Sequence, residues 1–473
     1  MTEAIAEPTP DARWSDLFTL AMLPRVALVC LGIWLNAADS LVTTTIMPSV
    51  VRAIGGYSYF AWPVATYLLG SILGGASAGH LAHTRGLRTA LVASTVPFIA
   101  GCVLSGFAGS MAPFLLGRFL QGIGSGSVVG LCYVALNAMF PQSHYGRVFA
   151  SLAGVWGIAT LLGPLLGGLF AQGREWHILF FLFAAQGALF ALAIPFLVPK
   201  GPAPPEESAV PVRTLVFLSI AVVANLAAEI VGSIALAAAL LAVTAIFLVV
   251  ALRTDRRADA HLFPRSIAQL GEPSGQGYAV VFLLNASTVG FGLYGAAILQ
   301  TAYGLSPLFA GYVVGLEAAG WTITALLVAG RPQSAEPFWM RIGASVAVAG
   351  TASLIVTLPS LSLAAVMASA VTMGAGFGLF WAFLTRRIQE FLPARDKTVG
   401  ASAIPCVQML GTAIGSAVCG LVANALGVGS GFTRVNVVDV GMWLFVGALP
   451  VALFGCYCAW KMSAEKLGAA PVP

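Results

Sequence analysis

Charge is what this chain has least of. Asp, Glu, Lys and Arg make up 9% of its 473 residues, against about 25% in a soluble domain. So small a polar surface excludes a soluble globular fold. With 59% hydrophobic residues, the composition is that of a polytopic membrane protein. Cysteine is scarce as well. Cys30, Cys102, Cys132, Cys406, Cys419, Cys456 and Cys458 all fall in apolar runs, where a thiol serves as a small apolar filler. Neither a disulfide framework nor a metal site is expected. HExxH and a phosphate-binding glycine loop are missing, so a membrane enzyme would lack those reactive residues. His80 and His83 have no third ligand nearby in the sequence, and no metal or cofactor is expected. A basic leader is also missing. Glu3, Glu7, Asp11 and Asp16 outnumber Arg13 before the first apolar run, which is too long for a cleavable signal and reads as an uncleaved span.

What the chain does have is long apolar runs. A bilayer core takes about 20 apolar residues per helix. Runs occur near 25–49, 59–82, 88–108, 111–139, 145–171 and 175–198, then, beyond a charged Pro-rich linker at 200–207, over 214–252. That last stretch would span roughly 60 Å as one helix, twice the hydrocarbon thickness. It is expected to fold back around Glu229 to Ser233 as two helices, with Glu229 at a membrane surface and no need for burial. Six more runs lie near 277–300, 306–330, 339–357, 361–385, 398–426 and 437–460. The expectation is an all-α membrane protein of 14 transmembrane helices, two six-helix bundles with a two-helix insert. Its parts are an N-terminal segment at 1–24, bundles at 25–198 and 277–461, a linker with two extra helices at 199–276, and a tail at 462–473. Of the 23 Lys and Arg, Arg118 lies within a span and only Arg52, Arg174 and Arg434 fall on one face. The rest lie on the other. That bias puts both termini in the cytoplasm, in a cell membrane, with a bacterial inner membrane expected. It also accounts for the net charge of +5 without a nucleic-acid partner.

The two six-span blocks are related. Gly122, Gly124 and Gly126 match Gly374, Gly376 and Gly378 at an offset of 252. Ala159-Thr160 through Gly163 and Gly167-Gly168 match Gly411-Thr412 through Gly415 and Cys419-Gly420 at the same offset. Two patterns sharing one offset point to a duplication. Parallel six-helix halves with a site between them near the midplane are a known transporter architecture.

Three motifs carry a family resemblance. Span 4 reads Leu116-Gly117-Arg118-Phe119-Leu120-Gln121-Gly122. Span 5 carries Gly163-Pro164 and Gly167-Gly168. The loop between spans 2 and 3 holds Gly79, His80, His83, Arg85, Gly86 and Arg88. Over roughly residues 25–460 the chain resembles the major facilitator superfamily, and its layout resembles the 14-helix drug:H⁺ antiporter branch. Asp39, nine residues before Pro48 in span 1, is similar to that branch's Asp…Pro signature. The resemblance implies that Arg118 assists a proton relay beside the span 1 acid, and that Gly163, Pro164, Gly167 and Gly168 form the antiporter motif. It implies a conformational motif at Gly79, His83, Gly86 and Arg88. His83 departs from it, standing where the family has an acid that latches the cytoplasmic side. Leu41 departs too, where a threonine is usual.

Three charges sit deep in apolar stretches: Asp39, Arg118 and Glu317. A charge in hydrocarbon costs several kcal/mol unless it faces a partner or a water-filled cavity. These three are therefore the candidate proton-coupling residues. Asn36, Asp39 and Thr43 share one helical stripe and suggest a cavity wall. Permanent pairing that fixes helix packing is the other reading of Asp39 and Arg118. For Glu317 the alternatives are a proton site, an anchor for cationic substrate, or a protonated acid bonded to backbone. Gln121, Trp156, Asn285, Trp321 and Trp381 complete the candidate substrate cavity. Tryptophans also favour the membrane interface, and each keeps that second reading. The expected function is secondary active transport by a monomer, exporting lipophilic or cationic small molecules against proton entry. A carrier of one dedicated metabolite, lipid or siderophore remains open. So, more remotely, does a receptor or assembly factor that does not transport.

Overall fold

The computed structural model describes residues 17, 19–20, 22–141, 144–172, 175–199, 210–258, 261–329 and 331–465. The acidic N-terminal residues, the linker charges at 200–207, Arg174 and the tail beyond 465 lie outside them. The described chain forms long helices: α1 Leu23–Ile54, α2 Trp62–Arg85, α3 Leu87–Gly106, α4 Met111–Met139, α5 Tyr145–Gln172, α6 Trp176–Leu197, α7 Val212–Ile230, α8 Ile234–Asp255, α9 Pro273–Ala302, α10 Pro307–Val328, α11 Glu336–Thr357, α12 Leu363–Phe391, α13 Lys397–Ala425 and α14 Arg434–Ala464. Thirteen are long and apolar enough to cross a membrane. The remaining one, α2, is diluted by Gly70, Ser71, Gly74, Gly75 and Ser77, small residues that let its backbone approach a neighbour closely.

Helix boundaries follow local chemistry. Ser233 caps α8 by accepting a hydrogen bond from the Leu236 N–H, so the long apolar stretch does fold back at 231–233. Ser306 and Pro307 start α10 in the same manner. At α14, Thr433 and Asn436 form a reciprocal capping box. Gly86 turns the chain between α2 and α3 with φ of 76°, a conformation open to glycine and strained for other residues.

Helices α1–α6 pack as one bundle and α9–α14 as a second. Helices α7 and α8 pair with each other, and α7 rests on α13 and α2. The bundles meet along α5 against α10, α2 against α13, and α1 against α9. Consecutive helices alternate in direction, so α1 begins and α14 ends on one face, termed the near face. On the opposite, far face the bundles are joined. Phe60 packs on Tyr294 and Phe432, with ring centroids 5.0 Å away in both cases. Asn424 Nδ2 donates to the Ser58 carbonyl at 2.8 Å, and Arg52 donates to Gln300 Oε1 at 3.1 Å.

The glycine patterns show why the halves share a sequence offset. A Cβ at Gly122 would overlap the Tyr67 carbonyl, and one at Gly126 the Ser71 carbonyl. In the second bundle, a Cβ at Gly374 would overlap the Glu317 carbonyl and one at Gly378 that of Trp321. Helix α4 therefore lies on α2 in the same register as α12 on α10. Glu317 occupies in the second bundle the place that Tyr67 occupies in the first.

Candidate functional site

The first bundle holds a closed polar cluster. Asp39, midway along α1, is fully buried at 0% exposure and Arg118 of α4 at 1%. Arg118 Nη1 donates to Asp39 Oδ2 at 2.7 Å and Oδ1 at 2.9 Å, and to Gln121 Oε1 at 2.6 Å. Gln121 in turn donates to Cys102 Sγ of α3 at 3.1 Å. The guanidinium lies over the Tyr67 ring, 4.4 Å from its centroid, a favourable position for a cation. Beside it, Asn36 Nδ2 donates to Tyr67 Oη and Ser125 Oγ, which bond each other at 2.7 Å. Four helices thus converge on one ion pair.

Asn36 and Thr43 are buried with Asp39. Asn36 and Asp39 bond to α2 and α4, while Thr43 Oγ1 has no hydrogen-bond partner among the described residues. The sequence also hid Tyr67, Ser125 and Cys102. They carry no charge, and only their placement opposite Asn36, Arg118 and Gln121 marks them.

Glu317 stands differently. It is partly accessible and has no ion-pair partner among the described residues. One turn along α10, Trp321 stacks on Phe377 of α12 with centroids 5.1 Å apart, and Trp381 lies 5.4 Å from Trp321. Trp321, Phe377 and Trp381 thus form one aromatic group, with Glu317 one helical turn before Trp321 on α10. Trp156 is 46% exposed on α5, one turn before Thr160 and two before Pro164. Asn285 turns back onto its own helix, donating to the Val281 carbonyl at 2.7 Å.

The interior holds more charge than the three expected residues. Glu229 is 2% exposed, Asp255 1%, Glu336 1% and Arg387 2%. Asp255 accepts from the Leu262 and Phe263 N–H groups, Glu336 pairs with Arg386 at 3.0 Å, and Arg387 donates to the Ser463 and Glu465 carbonyls closing α14. Each sits at a helix end, where linear sequence reads as surface but a neighbouring helix end covers it. Glu229, expected at a membrane surface, is covered by α13 and α9.

The motif residues also have places. A Cβ at Gly163 would press on Leu41 and one at Gly167 on Thr45, both on α1. Gly168 and Pro164 meet the other bundle: a Cβ at Gly168 would overlap Leu308, and Pro164 packs by Gly311 and Gly315 of α10. One helix is thereby fastened to its own bundle and to the opposite one. Gly79 and His83 lie in the last turns of α2, and Arg88 donates to the Pro195 carbonyl of α6.

Two parallel six-helix bundles, with a buried ion pair in one and a partly accessible acid in the other, are the architecture of a membrane carrier. The chain belongs to the Major Facilitator Superfamily, whose family model it matches over residues 29–416. It is 28% identical over 442 residues to a "Probable multidrug-efflux transporter" of Mycobacterium tuberculosis, covering 90% of this chain and 92% of that one. The fold is similar to the POT family transporter PepTSo, with a TM-score of 0.68 and 13% identity over 93% of this chain and 99% of that one. It is also similar to a D-xylose–proton symporter, with a TM-score of 0.64 and 16% identity over 90% of this chain and 97% of that one. The protein is a multi-pass membrane transporter.

Proposed function

We propose that this transporter is a proton-coupled antiporter that exports lipophilic or cationic compounds by alternating access. The observation that carries the reading is the split between two acids. Asp39 is sealed against Arg118, and Glu317 stands partly accessible in the other bundle, at the place that Tyr67 holds in the first. The name borne by the mycobacterial relative agrees with efflux.

In this reading Asp39 exchanges a proton within its cluster. Arg118 Nη1 has two hydrogens and three acceptors within 2.9 Å, so one acceptor is always in surplus. When Asp39 takes a proton, Arg118 keeps Gln121 and its seat over Tyr67 but loses its counter-charge, so proton uptake weakens the pair that ties α1 to α4. Glu317 and the Trp321–Phe377–Trp381 group act as the substrate face: a carboxylate attracts a cation, and indole rings bind flat or cationic apolar bodies. A proton and a cationic substrate then compete for the Glu317 carboxylate, which is the source of exchange. Far-face closure through Phe60, Tyr294 and Phe432 is one end state of the cycle. Cytoplasmic termini belong to the same reading, through the Lys and Arg bias.

The direct test is proton release from purified protein when substrate is added, followed with a pH dye in weakly buffered detergent solution. Release that is lost in Glu317→Gln supports the reading. Substrate binding without any proton release in the wild type contradicts it.

A further inference from the structure

The insert helices carry one feature that the transport reading does not use. Glu229 ends α7 at the far face, and its carboxylate lies where Gly420 of α13 has no side chain: a Cβ there would overlap it. Gly420 is the repeat partner of Gly168. In the first bundle that missing Cβ admits Leu308 of α10, and in the second it admits a carboxylate. Around Glu229, α9 contributes Tyr294, α13 contributes Cys419 and Asn424, and the start of α2 contributes the Ala61 N–H and the Trp62 indole. No Lys, Arg or His among the described residues pairs with it. The Ala61 N–H and the Trp62 indole N–H are the neutral donors that face the carboxylate, short of full hydrogen-bond geometry. An ionised carboxylate in such a niche has no compensating charge.

The niche exists only while the far face is closed. Its walls come from both bundles and the insert, and Asn424 Nδ2 ties them together by donating to the Ser58 carbonyl and to the Glu229 carbonyl, at 2.8 and 3.1 Å. The plug of Phe60 on Tyr294 adjoins it. Separation of α2 from α13 would open Glu229 to water.

We propose that Glu229 is a proton-binding site that fastens the far face, carrying a proton while the bundles are closed there and losing it to solvent when they part. The proton enters from and returns to the far side, so it sets the pH at which that face closes and adds nothing to the number of protons moved across. The insert is then a proton-dependent fastener and not a passive spacer. This rests on the alternating-access part of the reading above and not on proton antiport.

The test uses full-length protein with Asp39→Asn and Glu317→Gln, which removes the proposed coupling acids. Cys30, Cys406 and Cys456 are replaced, and nitroxide labels are placed at the exposed positions 53 and 430. Electron–electron distances are measured without substrate from mildly acidic to mildly alkaline pH. The expected result is a short distance in acid and a growing long-distance population in alkali. Added Glu229→Gln should hold the short distance throughout, and Glu229→Asp, which keeps an ionisable group, should respond to pH. A pH-insensitive parent overturns the proposal. So does a Glu229→Gln protein that follows its parent, or a folded Glu229→Asp protein that does not respond.

Discussion

Removing Arg118 and removing Asp39 should destabilise the protein in ways that differ with pH. In Arg118→Met the apolar volume is roughly kept, and Asp39 is left at 0% exposure beside Tyr67, Cys102 and Gln121. A carboxyl can escape that position by binding a proton. Relative to an ordinary aspartate near 3.9, holding it neutral at pH 7 costs about 4 kcal/mol, at about 1.4 kcal/mol per unit. The native state then binds a proton that the unfolded state lacks, so stability rises as pH falls, by about 1.4 kcal/mol per unit down to the ordinary aspartate range. In Asp39→Asn the stranded group is a guanidinium, which stays charged at every accessible pH. Breaking a buried pair this way costs about 3–5 kcal/mol, with no comparable slope. The double variant Asp39→Leu/Arg118→Met should recover most of the loss, because well-packed apolar replacements of buried pairs are often neutral. Chemical unfolding in detergent with a thiol-reactive dye reads this directly, since Cys102, Cys132, Cys419 and Cys458 are buried. A flat pH profile for Arg118→Met would refute the reasoning, because Asp39 would then not be a sealed carboxylate dependent on that guanidinium.

Three further outcomes are expected. Gly168→Ala places a Cβ against the Leu308 backbone; it should slow transport at least severalfold while Gly154→Ala, whose Cβ meets nothing within 4 Å, leaves it unchanged, as measured by dye efflux at matched expression. Reporter fusions at Gly201, Gly271 and the C-terminus should report cytoplasm and a fusion at Gly232 the opposite side; a cytoplasmic signal at Gly232 would remove the two-helix insert. His83→Asp should alter transport or cysteine accessibility more than His80→Asp does, and equal, negligible effects would mean that the α2–α3 motif acts here only as a turn.

Much of this molecule is legible in its sequence, and the parts that are not have a common cause. Helix number follows from run length, and the fold-back at 231–233 follows from a stretch too long for one bilayer crossing. The glycine offset follows from a packing register that the second bundle repeats, with Gly374 on Glu317 as Gly122 is on Tyr67. Asp39 and Arg118 are conspicuous because charge is rare in their surroundings, and the structure brings them together. Tyr67 and Ser125 are as deeply placed but neutral, so nothing in the linear chain singles them out. Glu229 is missed for a different reason. At the end of an apolar run its sequence context is that of a surface residue, and its burial is decided by Gly420, nearly two hundred residues away. Asn36 and Thr43 show the same limit: helical spacing reveals a polar stripe, while whether it meets water or another helix is a property of the assembled bundle.

The most direct test of proton-coupled export is uphill transport in proteoliposomes under an imposed pH gradient, with substrate flux and proton flux recorded together. Wild-type protein should accumulate substrate against its gradient as protons run down theirs. Asp39→Asn, with a similar shape but no ability to carry a proton, should be folded and inserted yet show no uphill transport. Glu317→Gln should either do the same or lose cationic substrates selectively. Wild-type accumulation and proton flux in both Asp39→Asn and Glu317→Gln would contradict the account and leave the coupling to some other site.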